Sequence, residues 1–293
     1  MSLVAKWIRY NWAKGDKKRD AGLTTPEDIL RKDHISYGMD KMNVLDVYRP
    51  KAAKGKLPVI VSVHGGGWVY GDKELYQHYC MSLAQRGFAV VNFTYRLSPE
   101  HKFPCHLKDT VKVFKWVLSN AEQYEFDVEN IFAVGDSAGG HILSLFCALC
   151  VNPEYAAKYS FKAPEGFVPK AVALNCGVYD LKMEMQSSSS TITLMKKYIL
   201  PRKGTEEELE EISVVNYITS QFPPCYIMTS NDDFLKQQPG PLMEKLDQAQ
   251  VPYVYKFYGD ENHKLGHVFH LDMKNEIGRI CNDEECAYFR SFM

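Results

Sequence analysis

The sequence predicts an α/β fold, with a mostly parallel central sheet and helices on both of its faces. Short apolar segments of strand type alternate with segments of helical length along most of the chain. Apolar strands of this kind are typical of sheets that are buried on both sides, and parallel strands need crossover connections. The clefts of such sheets lie at the carboxyl ends of the strands, where we expect the functional residues.

The chain begins with a polar stretch, 1–32, which we expect to form an N-terminal helical segment. Its aromatic residues are spaced as on one face of a helix. Two alternating segments follow, 34–38 and 44–48, and a short polar turn joins them. This pattern predicts an antiparallel pair of strands at one edge of the sheet. The aromatic residues of the helical segment are Trp7, Tyr10 and Trp12.

The repeating strands and helices come next. We expect apolar strands near residues 58–63, 88–94, 130–134, 170–175, 225–229 and 252–258. We expect helices near residues 74–86, 105–119, 138–150, 239–248 and 272–291. This order places the whole chain, 1–293, in a single α/β domain.

One connection is too long for an ordinary loop, since about 50 residues separate Asn175 from Cys225. It contains the serine run 187–190 and a helix-like stretch, 193–199. We expect residues 178–221 to form a small cap or lid, because the insertion leaves the carboxyl edge of the sheet. A solvated insertion without a role is the alternative.

Composition and charge are those of a globular protein. The 293 residues are 45% apolar, which is enough for a large core, and the net charge is −1 without a basic block. This argues against a nucleic-acid partner. No apolar run approaches the roughly 20 residues of a membrane span. Residues 1–10 lack the pattern of a signal peptide, so we expect a cytoplasmic protein without a membrane partner.

The eight cysteines are dispersed and predict buried free thiols rather than disulfides. Cys147 and Cys150 form a CxxC pair, but they lie in an apolar helix where this spacing suits core positions. Cys281 and Cys286 have the wrong spacing for a second pair of zinc ligands. We therefore expect no metal and no organic cofactor.

Residues 135–139 have the pattern GxSxG and lie between a strand segment and a helical segment. A serine at such a sharp turn has an exposed hydroxyl, and strand and helix approach so closely that only small residues fit two positions before and after it. Gly135 and Gly139 meet this requirement. Ser137 is therefore the candidate nucleophile, and a glycine-rich turn with an idle serine is the alternative.

Three consecutive glycines, 65–67, follow another buried strand segment. They allow the backbone to fold so that amide groups point into a cavity, as an oxyanion hole requires. Gly66 and Gly67 are the candidate donors, together with the amide of Ala138, the residue after the nucleophile. The loop has neither the GxGxxG nor the GK[ST] pattern of phosphate sites, which disfavours a phosphate cradle.

These motifs resemble those of α/β-hydrolases of the hormone-sensitive-lipase-like esterase group, in particular small bacterial carboxylesterases. The resemblance covers about residues 35–275. It implies an α/β-hydrolase fold and an acyl-enzyme mechanism. Ser98 stands where the family commonly has alanine. The matching residues are His64 to Trp68, Gly71-Asp72, Tyr95 to Glu100, Phe103-Pro104, Asp109 and Gly135 to Gly140.

The resemblance also implies an acid and a histidine after the nucleophile, in that order. Two aspartates, Asp232 and Asp233, follow a strand segment. The family's acid stands directly before a Pro-Leu or Phe-Leu pair, and Phe234 and Leu235 follow Asp233. The pattern therefore favours Asp233, and Asp232 is interpreted as a turn residue.

Three histidines compete for the role of base. His263 has the more usual separation from the acid. His267 has an aromatic residue two positions later, as in the family's His-Gly-Phe pattern, and an insertion of four residues would reconcile its spacing. We favour His267. His270 is expected at the surface or at a helix start, and His64 is expected to brace the glycine loop.

The sequence thus predicts a serine carboxylesterase that hydrolyses short-chain acyl or aryl esters, with Ser137, Asp233 and His267 as its catalytic residues. Two alternatives stay open. An amidase of the arylformamidase type would share the glycine loop and the nucleophile turn. A non-catalytic ligand-binding protein would keep the pocket without the chemistry.

Overall fold

The computed structural model describes residues 3–185, 196–197 and 199–293. These residues form one eight-stranded sheet and the helices around it. The strands are β1 (Ile29–Ser36), β2 (Val44–Pro50), β3 (Leu57–Val63), β4 (Ala89–Thr94), β5 (Phe126–Asp136), β6 (Val172–Asn175), β7 (Cys225–Ser230) and β8 (Tyr253–Tyr258). The α-helices are α1 (Leu3–Asp20), α2 (Lys73–Gln85), α3 (Cys105–Ser119), α4 (Ala121–Tyr124), α5 (Ala138–Val151), α6 (Pro153–Ala157), α7 (Leu181–Glu184), α8 (Glu206–Glu211), α9 (Pro239–Gln248) and α10 (Glu276–Arg290).

The sheet is mostly parallel, with the strand order β1-β2-β4-β3-β5-β6-β7-β8. β1 pairs with β2, and β2 with β4, in antiparallel fashion. Every other neighbouring pair, from β4 and β3 to β7 and β8, is parallel. The predicted fold class and the predicted antiparallel edge pair are both confirmed.

Two hydrophobic clusters cover the two faces of this sheet. On β3, Val61 belongs to one cluster and the adjacent Ile60 to the other, because successive side chains of a strand point to opposite faces. The first cluster includes α3 and α5, whose Phe114 and Phe146 rings stack with centroids 4.1 Å apart. The second includes α2 and α10, with Phe289 as a buried anchor. Helices therefore lie on both faces, as predicted.

The start of the sheet differs from the sequence-based expectation. Helix α1 ends at Asp20, so only part of the stretch 1–32 is α-helical, and β1 begins at Ile29, well before the predicted strand. Charged residues at 31–33 hide the alternation of this edge strand. The left-handed backbone of His34, with φ of 56°, falls where the pairing register with β2 shifts. An alternation pattern becomes visible only beyond that irregularity.

The described residues of the long connection after β6 pack against the rest of the protein. The amide of Leu181 donates to Ser213 Oγ at 2.9 Å, and a ring nitrogen of His141 on α5 lies 2.7 Å from the Ile212 carbonyl. Leu209 and Val214 are buried in the first cluster. The serine run and most of the helix-like stretch in this connection lie outside the described residues.

Among the described residues, no helix combines the length and the apolar character needed to cross a membrane.

Candidate active site

Ser137 lies at the turn between β5 and α5. Its backbone has φ of 51° and ψ of −120°, a conformation that non-glycine residues rarely adopt and that is associated with functional strain. A Cβ at Gly135 would lie 2.6 Å from the carbonyl oxygen of Gly139, and a Cβ at Gly139 would overlap the Val63 carbonyl. Only glycine fits at either position, so the sequence requirement of the GxSxG pattern has a direct steric cause.

The glycine loop after β3 faces the same region. Gly66 and Gly67 have φ of 109° and 57°, the left-handed range that favours glycine. The amides of Val69 and Tyr70 donate to the Gly66 carbonyl at 3.2 and 3.0 Å, which fixes the turn. A Cβ at Gly66 would overlap the Tyr70 carbonyl. The loop therefore depends on glycine at this position.

Ala138 is the first residue of α5. The first amides of a helix have no partner within it, so the Ala138 amide is available to a group outside the helix. Ala138 lines the same cavity as Ser137, Gly66 and Gly67.

Asp233 and His267 are brought together by the loops after β7 and β8. Their Oδ1 and Nδ1 atoms lie 2.7 Å apart. Asp233 also accepts hydrogen bonds from the Thr229 hydroxyl at 2.8 Å and from the Leu235 amide at 2.9 Å. Burial opposes ionisation of Asp233, but these donors, His267 first among them, outweigh it and lower the pKa of the carboxyl group.

The loop that carries His267 is tied to the end of β7. Ser230 Oγ donates to the Leu265 carbonyl at 2.8 Å, and Asn231 Oδ1 accepts from the Leu265 amide at 3.0 Å. Asn231 Nδ2 donates to the Asp260 carbonyl at 2.6 Å. These hydrogen bonds fold the residues before His267 into an ordered loop. This loop accounts for the longer sequence separation between Asp233 and His267.

The competing residues lie elsewhere. The side chain of His263 is 69% exposed and pairs with Asp260, at 3.2 Å between Nδ1 and Oδ1. Asp232 is exposed, and its amide donates to the Leu265 carbonyl in the same loop. His270 is buried rather than at the surface, although it does lie in a short 3-10 helix, and burial lowers its pKa to about 3. The sequence-based expectation of a surface position for His270 was wrong, because Phe269 and Leu271 on either side of it are also buried.

His64 is buried beside the glycine loop. Its ring stacks on Tyr95 with centroids 3.9 Å apart, and its Nδ1 atom lies 2.7 Å from the Gly65 carbonyl oxygen. Burial lowers the pKa of His64 to about 4, so its ring is neutral at physiological pH.

A second carboxyl group, that of Asp136, supports the glycine loop through Tyr76. This role was not predicted from the sequence. The Tyr76 hydroxyl donates to Asp136 Oδ2 at 2.7 Å and accepts from the Gly65 amide at 2.8 Å. Burial raises the pKa of Asp136 to about 6. Its position next to Ser137, inside the GxSxG pattern, was the available sequence signal.

Cys176 is a further unpredicted neighbour of the acid–base pair. Possible ligand atoms of Cys176, Asp233 and His267 lie within 4.8 Å of one another. Metal ligation requires the thiolate, whereas burial holds the pKa of this thiol well above its usual value. With Nδ1 of His267 already bonded to Asp233, the arrangement fits a hydrogen-bonded pair better than a metal site.

These groups surround a cavity of about 700 Å³. Two sets of its lining residues are named by position. The strand-end wall consists of Gly65, Gly66, Gly67, Asp136, Ser137, Ala138 and His267, which lie at or beyond the carboxyl ends of β3, β5 and β8. The outer wall consists of Asn11, Trp12, Gly15, Asp16 and Arg19 of α1, with Glu184 and Met185 at the end of α7.

Arginine side chains attach helix α1 to the segments after β3 and β4 and to α2. Arg9 donates to the carbonyl oxygens of Val69 and Ser98 at 2.7 and 2.9 Å, and Arg19 donates to that of Leu75 at 2.8 Å. No local sequence pattern indicates these contacts, since each joins residues more than 50 positions apart.

The aromatic residues of α1 lie in different environments. Trp7 and Tyr10 are 66% and 63% exposed. Trp12 is 44% exposed and lines the cavity, where a Cβ at Gly67 would lie 3.3 Å from its ring. One face of α1 thus lies against the glycine loop.

Residues 45–245, more than half of the chain, match the BD-FAE family. The chain belongs to this family. The region shared with the BD-FAE family includes Ser137 and Asp233, whereas α1 and His267 lie outside it.

Curated relatives of this BD-FAE member carry esterase names. The probable carboxylic ester hydrolase LipM of Mycobacterium tuberculosis is 29% identical over 238 residues, covering 78% of this chain and 54% of LipM. The versiconal hemiacetal acetate esterase of Dothistroma septosporum is 26% identical over 224 residues, covering 72% of this chain and 67% of that protein. The chain therefore spans just over half of the length of LipM.

Solved structures show the same fold. Esterase B from Lactobacillus rhamnosis, solved in an inhibited form, is 25% identical and has a TM-score of 0.88, covering 99% of this chain and 97% of that one. An esterase from Pyrobaculum calidifontis, 23% identical, has a TM-score of 0.77 and covers 99% of this chain and 94% of its own. The predicted α/β-hydrolase fold is confirmed.

Proposed function

We propose that this protein is a serine carboxylesterase with Ser137 as nucleophile, His267 as base and Asp233 as acid. The observation that carries the proposal is the 2.7 Å contact between Asp233 and His267 beside a cavity that Ser137 also lines. Nucleophilic catalysis by serine needs a base oriented by a third group, and this set supplies all three.

In the proposed mechanism, Ser137 Oγ attacks the ester carbonyl while His267 accepts the hydroxyl proton. Asp233, whose lowered pKa keeps it ionised, holds the ring and stabilises the imidazolium that forms. His267 then gives the proton to the departing alcohol. Water attacks the acyl-enzyme in the second half of the reaction, with His267 again as base, and releases the carboxylic acid and free Ser137.

The tetrahedral intermediates place a negative charge on the former carbonyl oxygen. We assign the amides of Gly66, Gly67 and Ala138 as its hydrogen-bond donors, since all three residues line the cavity beside Ser137. Preset donors of this kind are worth about 3 to 4 kcal/mol each in transition-state stabilisation.

The similarity to LipM, a probable carboxylic ester hydrolase, and to the versiconal hemiacetal acetate esterase supports an ester as the substrate, as does the similarity to esterase B. The cavity of about 700 Å³ falls in the range of about 300 to 1,000 Å³ that is usual for small-molecule sites. We propose short-chain acyl or aryl esters as substrates, with a small molecule as the only partner that the reaction needs.

We further propose that the chain 1–293 is one α/β-hydrolase unit, capped by the segment 178–221 together with α1. Glu184 and Met185 support this, because they line the cavity from the long connection. All eight cysteines are free thiols, and most are buried. Free thiols fit a reducing compartment such as the cytoplasm.

A fluorophosphonate probe tests the nucleophile directly. The wild-type protein should be labelled at Ser137 and should lose its hydrolysis of phenyl acetate in proportion to labelling. Ser137→Ala should not be labelled, whereas Ser220→Ala, which changes an exposed loop serine, should behave like wild type. Labelling elsewhere, or none, would contradict the proposal. Hydrolysis rates of aryl formamides, measured alongside those of the esters, distinguish an amidase from an esterase.

A further inference from the structure

The charges around the cavity are unbalanced. Among the described residues that line it, Asp16, Asp136 and Glu184 carry carboxyl groups, while Arg19 carries the one permanent positive charge. At pH 8, above the pKa of about 6 that burial gives Asp136, this buried carboxyl group also carries its charge. Three negative charges and one positive charge leave a formal net charge of −2 on the lining.

Arg19 does not offset this excess, because its charge is shared with a residue outside the cavity lining. Its guanidinium lies 3.0 Å from Asp16 Oδ1 and 2.7 Å from Asp20 Oδ2. One positive charge thus serves two carboxylates, and the remaining donor contact is to the Leu75 carbonyl. An anionic substrate group would find this guanidinium already occupied.

Glu184 has a neutral partner instead of a cation. Its Oε2 atom accepts from Gln238 Nε2 at 3.2 Å. Within the described ranges no lysine or arginine forms an ion pair with it, and the nearby Lys182 pairs with Glu206 and Glu210. Glu184 therefore presents a charge to the cavity that no described cation offsets.

Aromatic rings stand beside these carboxylates. Trp12 and Tyr70 both line the cavity and meet edge to face, with centroids 5.7 Å apart. The Tyr70 hydroxyl donates to Asp16 Oδ2 at 2.6 Å, which places ring and carboxylate in one corner. Aromatic faces and carboxylates are the groups that bind alkylammonium ions in proteins.

We propose that the cavity selects esters that carry a quaternary or tertiary ammonium group, held between the aromatic rings of the Trp12–Tyr70 corner and the carboxylates of Asp16 and Glu184. This inference rests on the proposed esterase function, since it names the substrate class of the same site. The same charge also favours turnover, because hydrolysis releases a carboxylate that a negative lining repels.

Pairs of esters that differ only in charge test the proposal. Butyrylcholine is compared with 3,3-dimethylbutyl butyrate, in which carbon replaces the ammonium nitrogen. The p-nitrophenyl ester of 4-(trimethylammonio)butyric acid is compared with that of 5,5-dimethylhexanoic acid, which places the charge on the acyl side. At pH 8 and low salt, kcat/KM should favour the cation by about tenfold in at least one pair, and the preference should decrease as ionic strength rises.

Variants assign the preference to the carboxylates. Glu184→Gln and Asp16→Asn should each lower the ratio of kcat/KM for the cation to that for its neutral analogue by about threefold or more. Glu122→Gln removes the same charge from a side chain that is 86% exposed on α4, and it should leave the ratio unchanged.

The outcomes separate the two proposals. Hydrolysis of the neutral esters without preference for either cation would overturn the ammonium inference and keep the esterase function. A preference that survives in Glu184→Gln and in Asp16→Asn would overturn the assignment to these residues. If Ser137 is not labelled and no ester is hydrolysed, the proposed function itself fails.

Discussion

The strand-end wall and the outer wall of the cavity are held in different ways. Ser137 follows the buried end of β5, and hydrogen bonds tie the loop of His267 to the end of the buried strand β7. The acid Asp233 is itself buried. Most residues of the outer wall belong to one helix, α1, whose attachments include Arg9 and Arg19, and Glu184 and Met185 complete this wall. Reactive groups need positions fixed to a fraction of an ångström, whereas groups that select a substrate tolerate more freedom.

This contrast predicts different kinetic consequences. Changes in the strand-end wall should lower kcat, because its groups act on the transition state. Changes in the outer wall should act through KM and substrate preference, because its groups line the cavity without a role in the proposed chemical steps. The following variants test that division.

The largest effect is expected for Ser137→Ala. Loss of the nucleophile should lower kcat for an aryl acetate at least about 10³-fold. The midpoint of urea unfolding should stay close to that of the wild type, since Ser137 lines the cavity and is only partly buried. A variant with more than about a tenth of the wild-type rate would break the assignment.

His267→Ala should fall nearly as far, and the double variant with Ser137→Ala should be scarcely slower than either single one, because nucleophile and base act as a unit. His263→Ala is the matched control. It removes an exposed histidine of the same loop that pairs with Asp260, and its kcat should stay within about twofold of the wild type. An inactive His263→Ala beside an active His267→Ala would reverse our assignment of the base.

The two walls also differ in how far the sequence predicts them. The nucleophile turn and the glycine loop follow from local steric rules, since Gly135, Gly139 and Gly66 each meet neighbouring backbone in a way that no other residue permits. Such rules operate over a few residues and leave a pattern that can be read. The fold class follows in the same way from the alternation of apolar strands and helices.

The base was harder to choose, because the contact between His267 and Asp233 depends on how a ten-residue loop folds, and spacing alone favoured His263. Packing over long separations left no local pattern at all. Tyr76 and Asp136 are 60 positions apart, and Arg9 and Val69 are also 60 apart. For that reason the support of the glycine loop by Tyr76 and Asp136, and the place of α1 in the outer wall, were missed.

Asp136, in the strand-end wall, makes the stability of the protein depend on pH. Its pKa is raised from 3.8 to about 6 by burial, so between these values the unfolded chain ionises first and the folded state binds more protons. The free energy of unfolding should therefore fall as pH rises through this window, by about 1.4 kcal/mol per unit of pKa shift, or about 2 to 3 kcal/mol in all.

Asp136→Asn removes this titration while keeping an acceptor for Tyr76. Urea unfolding is measured at pH 4 and pH 7.5. The free energy of unfolding of the variant, relative to that of the wild type, should be higher at pH 7.5 than at pH 4 by about 2 to 3 kcal/mol. Asp283→Asn, a change at a side chain that is 65% exposed on α10, should show no such gain. A constant difference between Asp136→Asn and the wild type at both pH values would mean that Asp136 has an ordinary pKa.

The smallest effect is expected in the outer wall. Trp12→Ala should lower kcat/KM for an aryl ester about five- to tenfold, mostly through KM, because the indole lines the cavity but has no role in the proposed chemical steps. Trp7→Ala is the control, since Trp7 is on the same helix, is 66% exposed and does not line the cavity. The free energy of unfolding of both variants should stay within about 1 kcal/mol of the wild-type value, as is usual for exposed positions.

If Trp12→Ala instead lowers kcat as strongly as KM rises, α1 helps to hold the glycine loop for catalysis. The expected division, in which the strand-end wall acts on kcat and the outer wall on KM, then fails. A loss of kcat/KM in Trp7→Ala equal to that in Trp12→Ala would show that α1 has simply detached, and that the contacts of Arg9 and Arg19 are too weak to keep it in place.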